Sequence, residues 1–221
     1  MPIKAIVFDF DGTLVDSAPG LADSANMVLK EGGHAPISVE DAQSFIGDGM
    51  AVFMDRAVAK DGATLKESDR ERYVARFRDI YAELDAERTV LYPGALETLE
   101  RFSADGLRMG LCTNKPYDAT LPILAAVGID KHLSAVFGGD SLDGIRKPDP
   151  RHVLAVLDAL DTSPAEAVMV GDSPNDVKAG KAAGLPVIAV TYGYSLGPVE
   201  ALGADVLIHS LIDLPAEIER L

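Results

Sequence analysis

Cysteine, basic residues and long apolar runs are all scarce in this chain of 221 residues. A single cysteine, Cys112, excludes an internal disulfide and a cysteine-rich metal centre, and points to a reducing compartment. Against 35 Asp plus Glu there are only 20 Lys plus Arg, so the formal charge is -15, and no basic cluster offsets it. Such a field repels polyanions and anionic membrane surfaces, which removes nucleic acid and membrane from the expected partners. Apolar stretches such as 121–129 fall far short of the roughly 18 residues of a membrane span. Asp9 also arrives before a signal-type apolar region can form, so a cytoplasmic protein is expected. None of His34, His132, His152 and His209 has metal-ligand spacing with another, and no repeat or low-complexity segment occurs.

What is present is an ordinary globular composition, 48% hydrophobic and 25% charged, long enough for one core with a sizeable insertion. Short apolar runs rich in β-branched residues, at 5–8, 109–112, 135–137, 167–170, 187–190 and 206–208, read as buried parallel strands. From residue 109 onward helical segments alternate with them, at 117–127, 152–160, 175–183 and 198–202. That alternation predicts an α/β fold with a doubly wound parallel sheet. Residues 17–88 differ in holding no convincing strand. Leu21, Ala25, Val28 and Leu29 fall on one helical face after a cap at Ser17. Ser38 with Asp41 and Ser68 with Glu71 have capping-box spacing, and Tyr73, Phe77, Ile80, Tyr81 and Leu84 continue the second as a long helix. The expected organisation is therefore a core of 1–16 and 89–221 with a helical insertion at 17–88. The turn Tyr92-Pro93-Gly94 marks the return to the core.

Chemistry concentrates where the apolar runs end. The first ends in Asp9-Phe10-Asp11-Gly12-Thr13, two carboxylates at the edge where open α/β sheets bind ligands. Holding both ionised favours a hard divalent cation such as Mg²⁺, although a strand ending in a turn explains the same residues. The second run ends in Thr113-Asn114, which can donate to an anionic oxygen or simply start a helix. Lys147, in Arg146-Lys147-Pro148-Asp149-Pro150, is alone no more than a surface charge. Gly171-Asp172-Ser173-Pro174-Asn175-Asp176 again sets carboxylates at a helix start, where capping explains one of them and leaves the other. Together, at one edge of one sheet, these groups describe a phosphoryl-transfer site: acids to hold Mg²⁺, donors and a lysine for phosphate oxygens, and a carboxylate free to act as nucleophile.

With these four segments in order, the chain resembles the haloacid dehalogenase-like hydrolases over essentially its whole length. Asp9-x-Asp11-Gly12-Thr13, Thr113-Asn114, Lys147-Pro148 and Gly171-Asp172-x-x-x-Asp176 look like that family's four motifs, and the helical insertion is similar to its C1-type cap. Within the family the run 8–17, the stretch Ile46-Gly47-Asp48-Gly49, Tyr92-Pro93-Gly94 and Thr113-Asn114-Lys115-Pro116 are most similar to the phosphoglycolate phosphatases. Asp48 between the glycines, and Phe53-Met54 beyond them, depart from that pattern.

The resemblance implies a phosphomonoester hydrolase. Asp9 would be the nucleophile that forms an aspartyl-phosphate, and Asp11 the acid and then the base. Asp9 and Asp172 would ligate Mg²⁺ by side chain and Asp11 by its carbonyl, with Asp176 acting through water. Thr113 and Lys147 would bind the transferring phosphoryl group, helped by Asn114. Gly47, Gly49 and Arg56 would face the rest of a small phosphorylated metabolite, with Lys115 and Arg56 both candidates for its carboxylate and both equally open to a plain salt-bridging role. Other readings are a β-phosphoglucomutase-like mutase, a dehalogenase, which has no use for the acid Asp11, and a non-catalytic binding module, which would not need every one of these groups. Nothing chooses between a monomer and a homodimer. Cys112 is expected to pack as a small apolar residue, since no histidine lies in the four motifs to activate it.

Overall fold

The computed structural model describes residues 2–195 and 197–221, apart from the side chains of 85–87. The chain begins with β1 (Ala5–Phe8), whose four residues are all fully buried, as a central parallel strand requires. A two-residue strand β2 (Val15–Asp16) then leads into four helices, α1 (Ala18–Glu31), α2 (Val39–Phe45), α3 (Met50–Ala59) and α4 (Glu67–Arg88). β3 (Val90–Leu91) pairs antiparallel with β2. There follow α5 (Ala95–Ala104), β4 (Arg108–Cys112), α6 (Tyr117–Ala126), β5 (Ala135–Phe137), α7 (Pro150–Ala159), β6 (Ala167–Gly171), α8 (Pro174–Ala182), β7 (Val187–Val190), β8 (Val206–Ile208) and α9 (Leu214–Ile218).

Six strands form one parallel sheet in the order β5-β4-β1-β6-β7-β8. Strand order reverses at β1, so the crevice beyond its carboxyl end, between β4 and β6, is the place where such sheets receive ligands. Alternation along β1 sends Ile6 and Phe8 into one apolar layer with Leu111, Val170 and Leu99, and Ala5 and Val7 into the other with Val153, Met169 and Val187. Helices therefore cover both faces, as expected for a doubly wound sheet.

The four helices after β2 bury a third cluster of their own, which includes Leu21, Ala25, Val28 and Leu29 of α1 and Tyr73, Phe77, Ile80 and Tyr81 of α4. Phe53, Phe77 and Tyr81 stack in sequence, with ring centroids 5.2 and 5.8 Å apart. Ser38 and Asp41 form the anticipated capping box. Two other expected caps come out differently. α4 begins at Glu67, with the Lys66 carbonyl accepting its first backbone bonds, so Ser68 lies inside the first turn. Ser17 stands at the start of α1, but its hydroxyl donates to Asp11 Oδ1 at 2.5 Å and makes no cap. The segment 198–202 is only a short 3-10 turn, Val199–Leu202. Among the described residues, no helix is long and apolar enough to cross a membrane.

Candidate active site

Three adjacent strands deliver the acidic and hydroxyl groups. β1 hands over to Asp9, whose N–H still donates to the Val170 carbonyl at 2.9 Å and so extends the ladder by one residue. The chain then turns back through Gly12, where φ is +82° and where a Cβ would lie 2.4 Å from Asp172 Oδ2. Glycine is needed there twice over, for the backbone conformation and for the close approach. β4 hands over to Thr113 and Asn114, and β6 to Asp172, all of which line the same cavity with Asp9 and Asp11.

Lys147 sits at the centre of the acidic cluster, 97% buried, with its Nζ 2.7 Å from Asp9 Oδ1 and 2.5 Å from Asp176 Oδ1. Asp176 spends its other oxygen on the start of α8, accepting from Ser173 N at 2.9 Å, Ser173 Oγ at 2.6 Å and Asp172 N at 3.2 Å. Asp172 accepts from the Tyr194 N–H at 2.6 Å and from Thr13 Oγ1 at 3.2 Å. Burial and then the charge of Asp176 push the Asp9 carboxyl well above the usual range, against the pull of Lys147. The same two causes push Asp172 up to about 7. Burial also works against the charge on Lys147, but Asp176 and Asp9 outweigh it and its pKa rises.

Carboxylate oxygens of Asp9, Asp172 and Asp176 lie within 4.8 Å of one another. Adding Asp11 and its neighbour Lys115, 3.3 Å away, gives four carboxylates against two ammonium groups, an excess of two negative charges if all are ionised. An oxygen-only donor set with that excess fits a hard dication.

The opposite wall comes from α1 to α4. The cavity, about 210 Å³, is smaller than the roughly 300–1,000 Å³ of drug-sized ligand sites, and Leu21, Phe45, Phe53, Phe77 and Tyr81 line it. Gly47 and Gly49 lie on its rim with φ of +114° and +91°. The Gly47 carbonyl accepts from Asn114 Nδ2 at 2.8 Å and from Asn175 Nδ2 at 3.2 Å, which ties the helical insertion to the segment after β4 and to the start of α8. Asn114 Nδ2 also donates to the Lys147 carbonyl at 2.9 Å, and its Oδ1 is buried with no protein partner. Thr113 Oγ1 accepts from the Lys115 N–H at 3.1 Å. Arg56 lines the cavity, but its guanidinium already donates to Asp48 at 2.6 Å and to the Phe45 carbonyl at 3.2 Å. Asp48, the odd residue between the glycines, is thereby explained, because it holds Arg56 and also accepts from Asn175 at 3.1 Å. Burial opposes its charge, yet these partners keep its carboxyl below the usual range.

Sequence reasoning missed Asn175 and Tyr194. Asn175 lies inside a quoted motif, at a helix start where asparagine is common. The Tyr194 hydroxyl accepts from the Ser17 and Ala18 N–H groups at 2.8 and 3.1 Å and donates to Asp16 at 2.6 Å, while its own N–H holds Asp172. No local pattern signals such a role, because the partners of its hydroxyl lie more than 150 residues upstream. Cys112 is buried and burial pushes its thiol up to about 12, consistent with packing alone.

The haloacid dehalogenase-like hydrolase family matches residues 3–184 of the chain. A phosphoglycolate phosphatase of Rhodospirillum rubrum is 42% identical over 205 residues, which cover 91% of this chain and 85% of that protein. One from Caulobacter vibrioides is 38% identical over 210 residues, 95% of this chain and 88% of its own. A crystal structure from Haemophilus somnus, described as a predicted phosphoglycolate phosphatase, superposes with a TM-score of 0.92 at 34% identity, covering 97% of each chain.

Proposed function

The chain belongs to the haloacid dehalogenase-like hydrolases, and we propose that within them it is a Mg²⁺-dependent phosphatase that hydrolyses 2-phosphoglycolate to glycolate and phosphate. The observation that carries the reading is the meeting of Asp9, Asp11, Thr113, Lys147 and Asp172 in one small cavity at the switch point of the sheet, with negative charge in excess. The relatives named phosphoglycolate phosphatase support the choice of substrate.

Asp9 attacks phosphorus, forming an Asp9 Oδ–P bond as the ester P–O bond breaks. Asp11, on the same cavity wall, gives its proton to the departing oxygen. It then takes a proton from water, whose oxygen attacks phosphorus and releases Asp9. This divides one difficult displacement into two easier ones. Lys147 and Thr113 hold the phosphoryl oxygens, and Lys147 stays charged for that work because its two carboxylates outweigh its burial. The side chains of Asp9 and Asp172 and the carbonyl of Asp11, with Asp176 through water, would hold Mg²⁺, which would supply positive charge to keep Asp9 ionised and to offset the phosphoryl oxygens. Residues 17–88 act as a cap that excludes water, with Gly47 and Gly49 near the leaving group and Arg56 behind them, over a core of 1–16 and 89–221. We place the enzyme in the cytoplasm, as a monomer or homodimer.

The test is kcat/KM for phosphoglycolate, β-glucose 1-phosphate, pyrophosphate and nucleoside monophosphates, with Mg²⁺ and again with EDTA. Phosphoglycolate should lead and EDTA should abolish turnover reversibly. Conversion of β-glucose 1-phosphate into a sugar-phosphate isomer at a higher rate would replace the hydrolase with a mutase.

A further inference from the structure

We infer that Lys115 reads the carboxylate of the substrate's leaving group and that Tyr81, from the helical insertion, sets where its ammonium lies. This rests on the phosphoglycolate reading and adds the residues that would enforce it.

Three cationic side chains line the cavity among the described residues: Arg56, Lys115 and Lys147. Lys147 is held between Asp9 and Asp176, on the phosphoryl side. Arg56 donates to Asp48 and to the Phe45 carbonyl, both within the helical insertion and not beside Asp11. Lys115 stands elsewhere. Its Nζ is 3.3 Å from Asp11 Oδ1, the carboxyl assigned to protonate the leaving oxygen. In 2-phosphoglycolate a single methylene separates that oxygen from the carboxylate, so a cation beside Asp11 is also beside the carboxylate. A leaving group without a charge gains nothing from it.

The surroundings of Lys115 give the contact its strength. The side chain is 96% buried. Its Nζ lies over the Tyr81 ring at 4.3 Å from the centroid and near Phe10 at 6.0 Å, and it donates to the Tyr81 hydroxyl. An ammonium in an aromatic wall, shielded from water, attracts an anion more strongly than the same group in solvent. Tyr81 is itself fixed by stacking on Phe77, which stacks on Phe53, so the position of the ammonium is set by the packing of α3 and α4. The cation comes from the sheet and its placement from the insertion, so recognition of the carboxylate requires the two to be closed on one another.

The experiment compares 2-phosphoglycolate with ethyl phosphate, which keeps the ester and replaces the carboxylate by a methyl group, in the wild type and in Lys115→Gln, Lys115→Arg and Tyr81→Phe. Circular dichroism and thermal melting confirm folding of each. A lost charge-assisted contact predicts that Lys115→Gln reduces kcat/KM for phosphoglycolate about 30-fold more than for ethyl phosphate. Lys115→Arg should recover part of the ratio, and Tyr81→Phe should lower it by a smaller factor, chiefly through KM. Equal losses on both substrates would mean that Lys115 acts on Asp11 alone and would overturn the inference, as would a preserved ratio. If the wild type shows no preference for phosphoglycolate over ethyl phosphate, the substrate assignment itself fails; a wild-type preference retained in Lys115→Gln sinks only the role of Lys115.

Discussion

The two walls of the active-site cavity handle charge in opposite ways. On the sheet side, Lys147 is shared between Asp9 and Asp176 while Asp172 has only hydrogen-bond donors, and all four groups are buried. On the other side, Arg56 pairs with Asp48 in a partly exposed position on the cavity, and Arg70 with Asp55 and Arg76 with Glu31 pair likewise elsewhere in the helical insertion. Exposed pairs of that kind contribute little energy and mostly set geometry. A buried, unbalanced cluster is unfavourable for folding and persists where a cation and an anionic substrate complete it. In the proposed reading, the sheet edge carries the chemistry, and the helical insertion supplies shape and selection.

The sharpest way to break this division is to remove the nucleophile. Asp9→Asn should lower kcat by at least about 10⁴-fold, as nucleophile deletions in other hydrolases do, with the melting temperature preserved or raised because a buried charge is gone. Near wild-type turnover in the folded variant would falsify the covalent mechanism. Next in size is Asp11→Asn, with an expected loss of about 10² to 10⁴. When phosphorylation limits the rate, the loss should be greater for phosphoglycolate than for p-nitrophenyl phosphate, whose leaving group departs unprotonated; equal losses would contradict the acid role.

On the cap side the effects should be smaller and fall on binding. Asn175→Ala removes the bonds to the Gly47 carbonyl and to Asp48. At about 0.5–1.5 kcal/mol each, KM should rise between about 5- and 150-fold with a lesser change in kcat. A fall in kcat alone, at constant KM, would place Asn175 with the chemistry instead.

The last prediction concerns stability and not turnover. His152 is buried, with Nε2 on the Gly138 carbonyl at 3.1 Å, and burial followed by the charge of Lys147 lowers its pKa to about 4. The unfolded chain then binds a proton near pH 6.5 that the folded one refuses until about pH 4. Its contribution to stability is therefore complete above pH 6.5 and is lost as pH falls through that window, at no more than about 1.4 kcal/mol per pH unit. Because the raised carboxyls of Asp9 and Asp172 act in the opposite direction, the measurement is the difference in unfolding free energy between wild type and His152→Gln. That difference should shrink from pH 7 to pH 4, and a constant difference would refute the assignment.

Much of this arrangement was legible in the sequence because its signals are local. The runs at 5–8, 187–190 and 206–208 became strands with those limits; the first two are buried on both faces, which leaves an uninterrupted apolar stretch, while the last is a half-buried strand at the sheet edge. The polar residues that follow the runs become neighbours once the strands align in parallel. What escaped depends on distance or competition. Ser17 has the right chemistry for a cap, but a carboxylate brought close by the fold takes its hydroxyl. Tyr194 acts on residues far away in the sequence, and the pairing of Asp48 with Arg56 and Asn175 needs the insertion already docked on the sheet. Strand order, too, was not readable, because parallel neighbours are set by the path of the crossovers and not by the composition of either strand.

The two-residue ladder at the base of the insertion bears on how such an enzyme can be altered. Val15 lies opposite Leu91 and Asp16 opposite Val90, so the chain leaves the core and re-enters it at adjacent points. To the sheet, everything between is one long hairpin loop. The entropy of closing a loop grows only logarithmically, about 0.6 kcal/mol for each doubling of its length, so the segment between these strands can be lengthened, shortened or exchanged with little penalty to the core's own folding. A graft joined at Asp16 and Val90 would inherit the hydrolytic edge intact and bring its own choice of leaving group, which makes this junction the natural seam for recombining selectivity with a fixed reaction.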